Sequence, residues 1–189
     1  MKKIAIFASG NGSNFQALVE GIKQQQVAAQ VVLLVCDQPQ AYVLQRAQQL
    51  AIPVWTAAFN QFSDKAAFET AILSELQQRG VELILLAGYM RIIGPTLLQA
   101  YPQRLINIHP ALLPNFPGRH GIEDAFAAGV TETGVTIHYV DAGIDSGPII
   151  AQQTVPIKPS DDLASLSQRI HQTEHRLYLA SLVKLLANQ

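Results

Sequence analysis

Apolar runs alternate with stretches in which apolar residues recur at helical spacing. The first run is 3-KIAIFAS-9, and after it Phe15, Leu18, Val19 and Ile22 mark one face of a helix from Asn14 to about Gln26. Further strand-like runs stand at 31-VVLLVC-36, 53-PVWT-56, 81-VELILLA-87 and 105-LINI-108, with helical stretches near 40–50, 63–79 and 94–100 between them. A loop carrying Pro110, Pro114 and Pro117 leads to a short helix near 121–128. Strands then follow at 134-GVTIHYV-140 and 148-PIIAQQTV-155, and the pattern leaves an antiparallel pairing open to this last pair. Ser160 precedes Asp161 and Asp162, which reads as an N-cap with acids in the first turn of a helix running to about Leu186. Strand and helix alternating in this order predict an α/β fold: a Rossmann-like open, mostly parallel sheet with helices on both faces and right-handed crossovers. No internal repeat, low-complexity tract or linker interrupts it, so residues 1–189 read as a single domain.

Composition narrows the classes of function. A chain of 189 residues, 49% hydrophobic, is long enough to bury roughly 70% of the surface its unfolded form exposes. No apolar run approaches the roughly 18 residues of a membrane span, and Met1-Lys2-Lys3 leads into a strand rather than a signal sequence. Those features predict a cytoplasmic protein without a membrane partner. The one cysteine, Cys36, closes an apolar run and reads as a buried structural thiol. A formal net charge of −1 gives no general attraction to nucleic acid or anionic lipid, so an anion must be held by a local site. The expected partner is a small molecule.

In an open parallel sheet, ligands bind outside the carboxyl ends of the strands, and three segments lie there. In 9-SGNGSN-14, Gly10 and Gly12 permit a tight turn, and the amides of residues 12–14 open a helix whose N-terminus attracts phosphate. A dinucleotide fingerprint would want a small residue where Phe15 stands, and no Gly-Lys-Ser/Thr comes after it. Asp37, at the end of the second strand, is the one residue that keeps a nicotinamide-cofactor reading open. In 104-RLINIHPALLPNFPG-118, Asn107 and His109 bracket Ile108 and so point to one side of an extended chain. An amide donor and a group that titrates near neutrality suit an oxyanion forming on a carbonyl. No Ser or Cys in that segment supports a covalent acyl-enzyme. The third segment, 141-DAGIDSGPI-149, offers Asp141 and Asp145, either of which could hold a protonated His109; spacing does not choose between them. A fourth pattern, 171-HQTEH-175, matches an inverted zinc-peptidase motif. No obvious third ligand stands in the short stretch of chain after it, so a solvated or ligand-facing helix surface is the expectation.

Taken together, 9-SGNGSN-14, 87-AGYMRI-92, 107-NIHPALLP-114 and 138-HYVDAGIDSGPI-149 resemble the phosphoribosylglycinamide formyltransferase family from the first strand to the last helix. The resemblance implies the formyltransferase fold and an enzyme of purine (IMP) biosynthesis. That enzyme transfers the formyl group of 10-formyltetrahydrofolate, a co-substrate, to the glycine amine of 5-phosphoribosylglycinamide (GAR) by direct attack through a tetrahedral intermediate, with no metal. It further implies Asn107, His109 and Asp145 as the catalytic trio, which selects Asp145 over Asp141. Gly12, Ser13 and Asn14 would take the GAR phosphate, and Glu174, with His171 beside it, the ribose hydroxyls. Lys65, Met90, Arg91, Ile92 and Ile93, together with Asn107, Asp141, Ala142, Gly143, Ile144 and Asp145, would contact the folate. Small-molecule substrates, a monomer or homodimer, and no nucleic acid complete the expectation. Methionyl-tRNA formyltransferase and formyltetrahydrofolate hydrolase share the Asn-x-His and Asp features, but their usual extra domains do not fit into 189 residues. A hydrolase or a dinucleotide-binding protein remains the alternative. The chain ends at 185-LLANQ-189, before a C-terminal extension that many family members carry.

Overall fold

A computed structural model of the chain describes residues 1–187. The expected single domain over 1–189 and the final residues of 185-LLANQ-189 therefore reach past the described residues. Seven strands and six α-helices follow one another as β1 (Lys2–Phe7), α1 (Ser13–Gln24), β2 (Ala29–Cys36), α2 (Val43–Gln49), β3 (Val54–Thr56), α3 (Lys65–Gln78), β4 (Leu83–Leu86), α4 (Pro95–Ala100), β5 (Leu105–His109), α5 (Gly121–Ala127), β6 (Glu132–Tyr139), β7 (Ile149–Pro156) and α6 (Leu163–Ala187). The strands hydrogen-bond in the order β3-β2-β1-β4-β5-β6-β7, the mostly parallel open sheet that the alternating pattern predicts. By its contacts the chain divides into two compact units, Met1–Ile106 and Asn107–Gln189.

In the first unit β1 lies between β2 and β4, parallel to both, and β3 pairs with β2, also parallel. Ile4, Ala5, Ile6, Phe7, Leu33, Leu34, Val35, Ile84 and Leu85 are completely buried. Such uninterrupted apolar runs belong to strands covered on both faces, where no alternation with polar residues is needed. The chain advances β1→β2→β3 in one direction and then returns past β1 to β4. Right-handed crossovers therefore put α1 and α2, which touch each other, on one face and α3, which packs against α4, on the other. The order reverses between β1 and β4, so the carboxyl ends of those two strands flank the switch point at which such sheets bind ligands. The edge strand of this unit, β3, has three residues and follows Pro53.

The second unit begins with the carboxyl end of β5. Its strands β6 and β7 are antiparallel, with Glu132 opposite Pro156 and Ile137 opposite Ala151. Helix α6 packs on both strands and touches α5, burying Leu166, Ile170, Tyr178 and Leu182 along one face. Its start differs from the expectation at Ser160. Asp162 is the cap: its Oδ1 accepts from the Ser165 amide at 2.7 Å, and its own amide donates to Ser165 Oγ at 3.1 Å. Asp161 instead takes the Lys158 amide and a fork of hydrogen bonds from Arg169, so the turn after Pro159 closes before the helix opens. At the sheet edge, β7 lies between Pro148 and Pro156 and exposes Gln152, Gln153 and Thr154.

Candidate functional site

In the first unit the glycine loop leaves β1 and enters α1 through Gly12, at φ 78°. A Cβ there would fall 2.3 Å from Val43 Cγ2, so backbone conformation and packing both require glycine. No side chain caps α1, and the start of a helix is a place where an anion is favoured. Arg46 braces the loop from α2. Its Nε donates to the Asn11 carbonyl and its Nη2 to Asn11 Oδ1, both at 2.8 Å, while its guanidinium lies over the Tyr42 ring.

The loop after β4, which carries Met90, Arg91, Ile92 and Ile93, is held by side chains from neighbouring elements. Ser9 Oγ accepts from the Met90 amide at 2.9 Å and donates to Asp37 Oδ1 at 2.5 Å. Arg91 Nε donates to Asp37 Oδ2 at 2.8 Å, and the guanidinium lies 4.2 Å over the centre of Phe59. Farther along, the Gly94 amide donates to Glu69 Oε1. The stem of Lys65 passes close enough that a Cβ on Gly94 would meet its Cε at 2.8 Å. Met90 and Ile92 expose their side chains, whereas Ile93 is buried. Asp37 is 2% exposed, with both carboxylate oxygens bonded to protein donors. Its carboxylate is thus engaged within the protein, which adds to the argument that Phe15 makes against a dinucleotide.

In the second unit Asn107 and His109 face the same side of β5 and meet Asp145. His109 is 3% exposed. Its Nδ1 lies 3.4 Å from Asp145 Oδ2, and its Nε2 lies 2.7 Å from the Phe116 carbonyl; since a carbonyl only accepts, Nε2 carries a proton. The other carboxylate oxygen, Oδ1, is 3.5 Å from Asn107 Nδ2 and 3.7 Å from His138 Nε2. The Gly118 amide donates to Oδ2 at 2.8 Å. Burial pushes the Asp145 carboxyl up, but the imidazole of His138, the Gly118 amide and the imidazole of His109 outweigh it and hold the group below its ordinary value. Asp145 also stands at φ 51°, in the left-handed region that Asp and Asn tolerate better than other non-glycine residues.

The choice that spacing left open between two aspartates has a geometric answer. Asp141 Oδ1 accepts from the Gly143 amide at 3.0 Å and from Ser146 Oγ at 2.8 Å, so it folds its own turn and leaves His109 to Asp145. Ala142, Gly143 and Ile144 are exposed on that turn. On α6, His171 Nδ1 sits 2.8 Å from Glu174 Oε2, and that hydrogen bond raises the His171 pKa against the opposing effect of burial. Among the described residues, no group of three or more His, Cys, Asp or Glu side chains is arranged to hold a metal ion, and no helix is long and apolar enough to cross a membrane.

Sequence reasoning missed His138. It is 2% exposed. Its Nδ1 donates to the Tyr139 carbonyl at 2.8 Å, so in the neutral ring Nε2 is left to accept from Asn107 Nδ2 at 3.1 Å. The signal was present: Thr136 and His138 are two apart on β6, the same spacing that marks Asn107 and His109. Thr136 also binds the loop after β5, accepting from the Leu113 amide at 3.1 Å and donating to the Ala111 carbonyl at 2.7 Å.

Residues 2–182 match a family model described as formyl transferase. The chain is 53% identical over 186 residues to the phosphoribosylglycinamide formyltransferase of Bacillus subtilis, a match covering 98% of this chain and 95% of that protein. It is 41% identical to part of the Drosophila melanogaster trifunctional purine biosynthetic protein adenosine-3, covering 97% of this chain but 14% of that much longer one. Among solved structures it resembles glycinamide ribonucleotide transformylase 1 from Geobacillus kaustophilus, with a TM-score of 0.96 at 53% identity over 98% of this chain and 99% of that one.

Proposed function

The chain belongs to the formyl transferase family and is a formyltransferase of purine biosynthesis acting on 5-phosphoribosylglycinamide; from that premise we propose that 10-formyltetrahydrofolate is the donor and that Asn107, His109 and Asp145 carry the transfer. The observation that supports this assignment is the cluster itself: one partly buried carboxylate facing two buried imidazoles, with the Asn107 amide beside it. The glycine amine of GAR attacks the N10-formyl carbon, the carbonyl electrons move to oxygen, and the tetrahedral intermediate collapses with expulsion of N10. Holding amine and formyl carbon together supplies much of the rate. The Asn107 N–H and the protonated His109 ring stabilise the oxyanion, each such donor contributing roughly 3 kcal/mol. Asp145 stays ionised, orients the His109 ring from Nδ1, and through water relays the proton lost by the amine toward N10.

In the resting arrangement the His109 Nε2 proton is held by the Phe116 carbonyl, so delivering it to substrate requires that contact to open. Residues Gly12, Ser13 and Asn14 take the GAR phosphate through amides at the start of α1, and Glu174 with His171 takes the ribose. Folate contacts come from Lys65, from Met90 to Ile93, and from Asp141 to Asp145, where backbone groups read the pterin. The enzyme acts in the cytoplasm as a monomer or homodimer.

The test follows deformylation of 10-formyltetrahydrofolate spectrophotometrically, with and without GAR, for the wild type and His109→Ala. Deformylation that needs GAR and disappears in the variant supports the assignment. Turnover without GAR would make the enzyme a hydrolase, and ordinary turnover by His109→Ala would remove His109 from the mechanism.

A further inference from the structure

The ladder of β4 ends at Leu86, and the Ala87 amide makes the last strand-like bond, to the Phe7 carbonyl at 2.8 Å. Beyond it, the loop from Gly88 to Gly94 is held from outside by the Ser9 amide on the Gly88 carbonyl and by three side-chain anchors: Ser9 on the Met90 amide, Asp37 on the Arg91 side chain, and Glu69 on the Gly94 amide. Two of the three converge on Asp37, because the Ser9 hydroxyl that receives Met90 is itself oriented by donating to Asp37. We propose that Asp37 is a positioning residue for folate recognition: it fixes the backbone of Met90 and Arg91 from beneath, through Ser9 and the Arg91 guanidinium, without touching substrate. The proposal rests on the reading of this loop as a folate contact.

The chemistry at position 37 is restrictive. Ser9 Oγ, Arg91 Nε and Gln38 Nε2 all approach the side chain as donors, so the site wants acceptors on both oxygens, which only a carboxylate supplies. The charge is balanced by Arg91, whose guanidinium carbon lies 4.2 Å from the centre of Phe59 and 5.7 Å from the centre of Phe68. Asn at this position keeps the shape but removes the charge and one acceptor. The Arg91 guanidinium, itself one-third exposed, then loses the ionic partner that fixes its position. Through the Ser9 hydroxyl and the Arg91 side chain, one carboxylate sets two successive residues of the loop after β4, Met90 and Arg91. The GAR phosphate contacts lie three residues beyond Ser9, past the Arg46 brace, and are held independently of Asp37.

The experiment measures KM for both substrates and kcat, with direct fluorescence titration of a 5,8-dideaza analogue of the formyl folate and a thermal melt, for wild type, Asp37→Asn, Ser9→Ala and Ser9→Thr. Asp37→Asn is expected to raise the folate KM and the analogue Kd by roughly tenfold while the GAR KM and kcat stay within about twofold, the signature of lost binding alone. Ser9→Ala is expected to move the folate values in the same direction, and Ser9→Thr, which keeps the hydroxyl, to restore them. Unchanged folate values in Asp37→Asn overturn the proposal. So does a parallel loss of both substrates with a lowered melting temperature, which a purely structural role predicts. If Asp37→Asn does not fold, the Ser9 pair decides by the same criteria. Absence of analogue binding by the wild type would instead defeat the folate reading itself.

Discussion

Around His109 the identity of each neighbour decides which substitutions are informative. Asp145 stands at φ 51°, so replacement by Ala confuses backbone strain with loss of charge, whereas Asn tolerates that conformation and removes the charge alone. Asp145→Asn is expected to lower kcat by roughly two to three orders of magnitude, in the range found for losing one electrostatic partner of a transition state. Its melting temperature should change little, and steady-state kinetics beside a thermal melt check both halves. Gly12→Ala is a different kind of change. The Cβ would overlap Val43, and the αL conformation would cost a further ~1 kcal/mol or more. We expect a raised KM for GAR and a lower melting temperature, with kcat for saturated enzyme largely retained. Asn107 and His109 were legible in the sequence because extended chain has a period of two and a strand's end faces ligand. The choice of Asp145 over Asp141 came only from the family resemblance and not from spacing, because it depends on a turn that Asp141 folds with its own side chain. Asp37 stayed open in the sequence for a related reason: a carboxylate at the end of a second strand looks the same whether it awaits a ribose or is already occupied by Ser9 and Arg91.

The elements themselves followed from pattern. Continuous apolar runs became the buried parallel strands, and helical spacing gave each helix, because burial on two faces or along one stripe leaves that imprint in any order of residues. Boundaries were less legible where local side chains compete for the same amides. At the start of α6, Ser160, Asp161 and Asp162 are all good capping types, and the winner was set by Arg169, eight residues beyond Asp161, which claims that carboxylate. Later in the same helix, the His171–Glu174 pair makes a prediction about pH. Glu174 raises the His171 pKa in the folded protein. The pair's stabilisation is therefore complete below the ordinary histidine value of about 6.5 and is lost as pH rises through the raised folded value. Thermal melts at about pH 6 and about pH 9 should show a loss toward the alkaline side that shrinks in His171→Gln. An equal difference in both proteins would mean the pair contributes nothing to stability.

Over the whole chain the formal net charge is −1, and the phosphate contact proposed for the glycine loop relies on amides at one helix end. With no broad positive field to screen, kcat/KM for GAR should vary by less than about threefold between low and physiological ionic strength. A steep fall would require long-range attraction that this composition does not supply. The two strands that end the sheet order carry a separate consequence. Both present unpaired backbone along one side, which makes them templates for another chain. One is only three residues long and enters from Pro53; the other lies between Pro148 and Pro156 with the polar residues Gln152, Gln153 and Thr154 exposed. Proline withholds a donor and polar side chains deny an incoming strand its apolar contacts, so these margins guard concentrated solutions of the enzyme against edge-to-edge fibre growth.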